Sequence, residues 1–455
     1  MRKLALIAML LMPLPLAAQE TTPQTQQAQD DESNRDRSYL TGLIEDNLSS
    51  KGRTIRLDGF KGALSSRATF DQLTIADDQG VWLTIRNGAM AWSRAAILTG
   101  RIEIRELSAG EIDLARLPVP EETDALPNPE AKPFALPELP VSLNIGTIKA
   151  DRLALGAPVL GEDLVFGLSG SMSLAGGEGK ADIKINRIDG PKGDFAFTGD
   201  FNNSSRQLML DLLVDEGGGG IVSRKIGLPG NPALTLAVSG SGPLDNFASD
   251  IALRTDGQPR LAGKVILGTS PAQGADAAPD NTFAANLAGD ITPMLPPEYQ
   301  AFFGPATRFV ATGARTAGGA IRLDDLSVEA AAFALKGMAA VRASGMPDRF
   351  DLTTRLGLAD GQAVLLPVSG DKTWVQDGTI ALSYDRAQSD RWTLDGVVNG
   401  IARPDLRLGQ VSLRGAGSID QNTAGAVVDG TVAFAGQGIG LTDPALADAV
   451  GTTVS

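Results

Sequence analysis

The sequence predicts a mainly β protein: a long, curved and twisted antiparallel β-sheet groove, folded like a taco, with a short amphipathic helix near its N-terminal end. Three observations predict it. Apolar and polar residues alternate over Arg101–Arg116 (RIEIRELSAGEIDLAR), the mark of a strand with one buried and one wet face. The same alternating template returns further along the chain. The composition, with 53 glycines, 26 prolines, 5% aromatics and few runs of helical period, suits many short strands joined by turns.

In the template, apolar residues fall at Ile102, Ile104, Leu107, Ala109, Ile112 and Leu114, and everything between them is polar or Gly. Two double gaps, Arg105–Glu106 and Gly110–Glu111, break the period of two. Each reads as a bulge or turn that brings the apolar face back inward. A second copy follows 41 residues later, with Leu143, Ile145, Ile148, Ala150, Leu153 and Leu155 in the apolar places. Another starts at Leu406, with Leu408, Val411, Leu413 and Ala416. A weaker one starts at Ile321, with Leu323, Leu326, Val328, Ala331 and Phe333. Random placement of 43% hydrophobic residues would give about 0.8 such windows with one miss or none. The later copies therefore exceed chance by a small margin, and the reading adopted is a repeat of strand units. Their uneven spacing excludes a fixed-period solenoid.

Residues 1–18 read as a secretory signal: Arg2 and Lys3, an apolar run over Leu4–Met12, then small residues at Ala17 and Ala18. The alternative is an uncleaved anchor, for which the run is short and broken by Pro13 and Pro15. Either way the remainder is expected outside the cytoplasm, in a periplasm. Residues 19–37 form a Gln/Thr/Asp linker with the composition of disorder. Residues 38–117 are expected to hold a helix over Tyr39–Leu48, striped by Leu40, Leu43, Ile44 and Leu48, and then an unbroken run of strands. In that run Asp77-Asp78-Gln79-Gly80 is a hairpin turn. Residues 118–140, rich in Pro and Glu, mark a boundary and an extended surface crossing. From 141 to 455 strands resume. Gly217–Gly220 lacks the Lys-Ser/Thr of a phosphate loop and reads as a flexible turn. The phrase from Pro296 to Phe303 is a short helix opened by proline, with Phe302 and Phe303 plugging one end of a sheet. Val450–Ser455 stops in mid-pattern, so a longer parent groove is expected.

The chain has neither Cys nor His. That removes disulfides, thiol or Ser-His-Asp catalysis and the common zinc sites. A net charge of −14 argues against nucleic acid as a partner and against broad adhesion to anionic headgroups. Carboxylate pairs such as Asp77/Asp78, Glu121/Glu122 and Asp324/Asp325 invite a glycosidase or metal reading, but neighbours on a strand point to opposite faces. No catalytic, cofactor or metal-binding residue is assigned, and the expected role is not enzymatic. A one-sided sheet must still cover its apolar face, and helices to do so are scarce. Either sheet packs on sheet, or the sheet curls into a trough whose lining is left for an apolar ligand. At ~12 residues per strand and turn the chain would make ~30 strands, ~150 Å when stacked.

Several phrases carry a family likeness. SYLTGLIEDNLSSKGRTIRLDGFKGALSSRATFDQLTIADDQGVWLTI and GRIEIRELSAGEIDL resemble the start of the TamB family, within the AsmA-like bridge proteins. GPLDNFASDIALRTDGQPRLAG and PEYQAFFG extend the likeness. The resemblance covers Ser38–Leu114 most fully and implies the N-terminal portion of a β-groove running between inner and outer membranes. It implies a translocation and assembly module component, at the inner membrane of a Gram-negative envelope. Such a component supports outer-membrane protein assembly and secretion, and carries phospholipid between the membranes. The implied partners are phospholipid, the inner membrane and the outer-membrane barrel TamA, the last reached through a C-terminal region beyond this sequence. The groove-wall candidates are Ile102, Ile104, Leu107, Ile112 and Leu114, with Leu143, Ile145, Ile148, Leu153 and Leu155. The competing expectation is a secreted or surface β-rich adhesin with a filled core and no lipid conduit.

Overall fold

The computed structural model describes Glu45, Ser49, residues 53–441 and residues 453–454, save 63–65, 98–100, 120–134, 140, 271–278 and 423–424. The leader, the 19–37 linker and the expected helix over Tyr39–Leu48 lie outside these residues, apart from Glu45. Among the described residues the protein is mainly β, and each helix spans five residues or fewer. Two compact units emerge, divided between Ser205 and Arg206.

The first unit contains β1 (Thr54–Asp58), β2 (Arg67–Asp77), β3 (Gly80–Trp92) and β4 (Arg101–Leu114). It continues through β5 (Ser142–Leu155), β6 (Leu164–Ala175), β7 (Glu178–Arg187) and β8 (Gly193–Asn202). Each strand pairs with the next in sequence. Short hairpins make these pairs antiparallel. The exception is β4–β5, which is parallel and corrects the expectation of a wholly antiparallel sheet. Its cause is the Pro-rich crossing. A parallel neighbour needs a connection of a dozen residues or more, and residues 115–141 supply it. Those residues therefore connect two strands of one unit and do not divide two domains. Leu136 anchors the end of the crossing: its N–H donates to Asn203 Oδ1, and Asn203 Nδ2 donates back to its carbonyl, both at 2.8 Å.

The pairing of β4 with β5 explains the repeat. Ile102 faces Leu143, Ile104 faces Ile145, Leu107 faces Ile148, Ile112 faces Leu153 and Leu114 faces Leu155. A constant offset of 41 residues is the register of the parallel pair. The first double gap is a bulge on both flanks: the register shifts between Ala91 and Trp92 against β4, and between Ile145 and Ile148 against β6. At the second gap β3 and β4 stay in step opposite Asn87, whose φ is 52°, while β5 bulges against β6 between Ala150 and Leu153. The weak copy at Ile321 obeys the same rule, with its bulge at Asp324-Asp325. There, however, the chain turns after Glu329, so Phe333 opens a new strand.

The second unit begins with β9 (Gln207–Glu216), β10 (Leu234–Pro243), β11 (Asn246–Thr255), β12 (Gln258–Thr269) and β13 (Asn281–Gly289). It goes on through β14 (Thr307–Arg315), β15 (Ile321–Glu329), β16 (Phe333–Val341) and β17 (Pro347–Gly357). Two short strands follow, β18 (Val364–Leu365) and β19 (Trp374–Val375), then β20 (Asp377–Asp385), β21 (Arg391–Ala402), β22 (Leu406–Asn422) and β23 (Gly425–Gln437). The fragments β24 (Gly440–Leu441) and β25 (Thr453–Val454) complete it. The long strands form an antiparallel meander in which β17 pairs β20 directly, leaving β18 and β19 as a flap beside β21. The long strands run longer than the sequence estimate assumed, and among the described residues there are 25 strands where ~30 were expected. Neither ladder closes on itself, which is consistent with a curved, open β-groove.

Among the described residues each unit holds a buried apolar cluster. In the first, Ile102, Ile104, Leu143 and Ile145 pack together beneath Leu139, Val141 and Met172. In the second, Phe302 packs with Ala332, Val364, Val375 and Val398 at one end of the strands. Its ring lies 5.2 Å from Phe303 and 5.8 Å from Phe333, so the proline-led helix does plug a sheet end. Ile145 is 1% exposed. Ile145→Ala is expected to destabilise the first unit by about 2–5 kcal/mol through the cavity it leaves. Half-exposed Ile148→Ala should cost clearly less. Urea unfolding followed through Trp82 and Trp92 fluorescence, with the other tryptophans replaced, checks the order.

Candidate functional site

The strand register sorts side chains into rows. On one face of the second unit a single row crosses from β9 to β23. It reads Leu212, Val238, Ile251, Leu287, Phe309, Val328, Leu335, Ile380, Leu413 and Phe434, interrupted by Gly263, Thr354 and Gly396. The parallel row two residues away carries Leu210, Val265, Ala285, Ala311, Leu326, Leu352, Leu382, Leu394 and Val432, with Gly240, Ser249, Gly337 and Gly415 between them. Neither row holds a charge. The row between them, pointing to the other face, holds Asp211, Asp250, Lys264, Lys336, Asp395 and Arg414. Alternation thus makes one face oily and the other ionic.

Most of the oily rows are half-buried; full burial concentrates toward the strand ends. At β23 the face is open, and Phe434 remains 57% exposed. Glycine lets the rows pass bulged neighbours. A Cβ at Gly337, whose φ is 150°, would lie 1.9 Å from the Asp351 carbonyl oxygen. The ionic face carries cross-strand pairs such as Lys264–Asp250 and Lys336–Glu329, both at 2.9 Å. These are exposed, and each contributes little to stability. A cleft of about 540 Å³ opens on that face, lined by Glu329, Lys336, Thr353 and Arg355 over Ala306, Ala330 and Ala334. Lys336, hydrogen-bonded to Glu329, holds that carboxylate below its ordinary range.

The ten groove-wall candidates of the first unit come together on one face as five register pairs. Ile102, Ile104, Leu143 and Ile145 are buried against one another and are core, with no free surface left for a ligand. Leu107, Ile112, Leu114, Ile148, Leu153 and Leu155 are half-buried. From β1 to β6 they continue an apolar row through Leu57, Leu73, Ile85, Ile112, Leu153 and Phe166.

Two local expectations change. Gly217–Gly220 does lead from a strand into a one-turn helix, Ile221–Lys225, a context the sequence did not suggest. Its first amides are taken internally: Glu216, 2% exposed, accepts from Ile221 N–H at 2.9 Å and Val222 N–H at 2.8 Å. A phosphate is therefore excluded by the chain's own carboxylate. Asp77, placed by the sequence in a hairpin turn, also ties down the chain beyond β4. It accepts two hydrogen bonds from the Arg116 guanidinium and one each from the N–H groups of Val119 and Gln79, pinning the start of the crossing. The sequence carried no signal for this, since Arg116 lies 39 residues away. Among the described residues no three potential ligands converge on a metal position. No described helix is long and apolar enough to cross a membrane.

Compared with known proteins, the chain matches no family model, no curated protein and no solved structure.

Hydrogen bonding to Arg116, then to the Val119 amide, holds the Asp77 carboxyl well below the usual carboxylate range. A depressed folded pKa means that its stabilisation is fully present above the unfolded value, about 3.9, and is lost as pH falls toward the folded value. The urea midpoint of wild type should exceed that of Asp77→Asn by a constant margin from pH 7 to about 5. That margin should narrow steadily below about pH 4. A margin that does not change with pH would show that the carboxylate charge is irrelevant.

Proposed function

We propose that this chain is a periplasmic component of a translocation and assembly module. It serves outer-membrane protein assembly and secretion by carrying phospholipid between the inner and outer membranes along an apolar β-groove. The observation that supports this reading is the pair of uncharged rows crossing β9–β23, half-buried along most of their length. A filled adhesin-like core would bury such rows completely. The physical gain is large: each methylene removed from water is worth about 0.8 kcal/mol, or ~13 kcal/mol for a 16-carbon chain. A trough that supplies apolar contact at every step lowers the barrier to moving that chain through water.

The family likeness of Ser38–Leu114 adds the setting: the inner membrane on one side and the barrel protein TamA on the other. Phospholipid is the cargo in this reading, and no catalytic step is required of the chain.

The test uses the central rows, where a substitution need not break the core. Leu212→Asp, Ile251→Asp and Leu382→Asp each place a charge against an acyl chain. On insertion scales that costs about 3 kcal/mol, roughly a hundredfold in occupancy. Mass spectrometry of organic extracts should find phospholipid with the purified wild type and almost none with the triple variant. Vesicle-to-vesicle transfer should be lost in parallel, with circular dichroism unchanged. Equal lipid content in the two proteins, or none in either, would sink the proposal.

A further inference from the structure

On the ionic face of the second unit, cations meet acids one to one in several places. Asp250 holds Lys264 at 2.9 Å, and Asp385 holds Arg349 at 3.6 Å. Across β14–β17 that habit breaks. One row there reads Arg308, Glu329, Ala334 and Arg355, and the row beside it sets Lys336 against Thr353. Glu329 is taken by Lys336, at 2.9 Å. Arg308 stands opposite the same Glu329, and Arg355 stands opposite Ala334. Neither arginine has a hydrogen bond or an ion pair among the described residues.

The place between Glu329 and Arg355, where a second acid would continue the alternation of sign, is Ala334. The cleft of about 540 Å³ opens there, floored by alanines and walled by Glu329, Lys336, Thr353 and Arg355. A second cleft of about 290 Å³ lies along Arg355 and takes in Thr379 and Asn399. Arg355 thus borders both openings. It is exposed, as are Lys336 and Thr353, so a solute can reach all three.

The charge here runs against that of the whole chain, in which acids outnumber bases 54 to 40. Arg308, Lys336 and Arg355 gather around the single carboxylate of Glu329, two positive charges in excess. The next carboxylates on this face stand a row away. Asp351 lies two residues from Thr353, and Asp377 two from Thr379. Asp377 already accepts from the Asn399 side-chain amide at 2.6 Å. A phosphate group carries about −1.5 to −2 charges and three acceptor oxygens. It matches a guanidinium fork, an ammonium and a hydroxyl placed around one opening. A lipid lying along the uncharged rows has the sheet between its headgroup and this cleft.

We propose that the cleft over Ala334 binds a phosphate group, borne either by a small solute or by the headgroup of a lipid in an apposed membrane. Arg355 and Lys336 pair with it, Thr353 donates its hydroxyl, and Arg308 adds to the positive field. The phosphate stands where the row lacks its second carboxylate. The site uses the face opposite the uncharged rows and does not depend on the lipid-carrier reading.

Calorimetric titration of the full chain with inorganic phosphate at low ionic strength tests the site. Wild type should show a single saturable site that weakens as salt is added. Arg355→Gln and Lys336→Gln should each weaken it several-fold. Ala334→Glu supplies the missing carboxylate, so it should abolish phosphate binding without lowering the urea midpoint. Lys264→Gln, at an ordinary pair on the same face, should leave binding unchanged. Flotation with phosphatidic acid vesicles separates the two sources. Flotation of wild type that Arg355→Gln abolishes assigns a headgroup, whereas phosphate binding without flotation assigns a solute. Wild type that binds phosphate in neither assay, or that binds it no better than Ala334→Glu does, overturns the proposal.

Discussion

Everything in this protein depends on keeping oily side chains on one face of a sheet while the chain crosses that sheet again and again. A one-residue slip in any strand would turn its leucines to water and its aspartates to the oily side. The structure prevents this in two ways. Hairpins fix most registers by their turns. Bulges absorb extra residues where the sequence departs from strict alternation, as at Arg105–Glu106 and Asp324-Asp325. Bulges also bend and twist a strand. The device that protects the register therefore also contributes to curvature, and one constraint yields both a face and a trough.

The parallel pair β4–β5 shows how far this logic reaches. Two segments of nearly the same pattern lie side by side, and their first double gaps bulge next to each other. Like residues face like: Ile104 meets Ile145, and Ala109 meets Ala150. A repeat in sequence becomes a repeat in space only because the crossing returns the chain to the start of β4. Asp77 and Arg116 clamp the start of that crossing, and Asn203 holds its end.

Much of the fold was legible in the residues. The segment GVWLTIRNGAMAW became β3 end to end, and the turn Asp77-Asp78-Gln79-Gly80 closes its hairpin. Alternation reveals faces directly because its period is two. It is silent about direction, since a strand of given pattern looks the same run parallel or antiparallel, and so β4–β5 was missed. The 41-residue offset was the available clue, and it needed the pairing to be understood. The oily face was legible for the same reason that the strands were. What it lines up with was not: the Phe350–Tyr384–Trp392 row joins residues from three strands, and only the register brings them together. Burial escaped as well, because Ile104 and Leu153 read alike in sequence while one is core and the other half-open.

An open sheet with an oily face and free edges is a hazard, since unpaired strand edges recruit other strands. At β1 the protein answers with side chains. The Ile55 N–H donates to Ser49 Oγ at 3.0 Å, and the Leu57 N–H to Glu45 Oε1 at 2.6 Å. β2 occupies the other side of β1, so these two amides point to the side where a further strand would dock. The Ser49 hydroxyl and the buried Glu45 carboxylate each satisfy one donor, and the carboxylate offers an incoming strand only an acceptor and a charge. The ionic face does the same for the broad surface: its cross-strand lysine–aspartate and lysine–glutamate pairs add little stability but keep that side wet. What remains without such protection is the face of the uncharged rows. In a chain that guards its edge and its back, leaving that one face without charge is the feature on which the proposal of an apolar ligand rests.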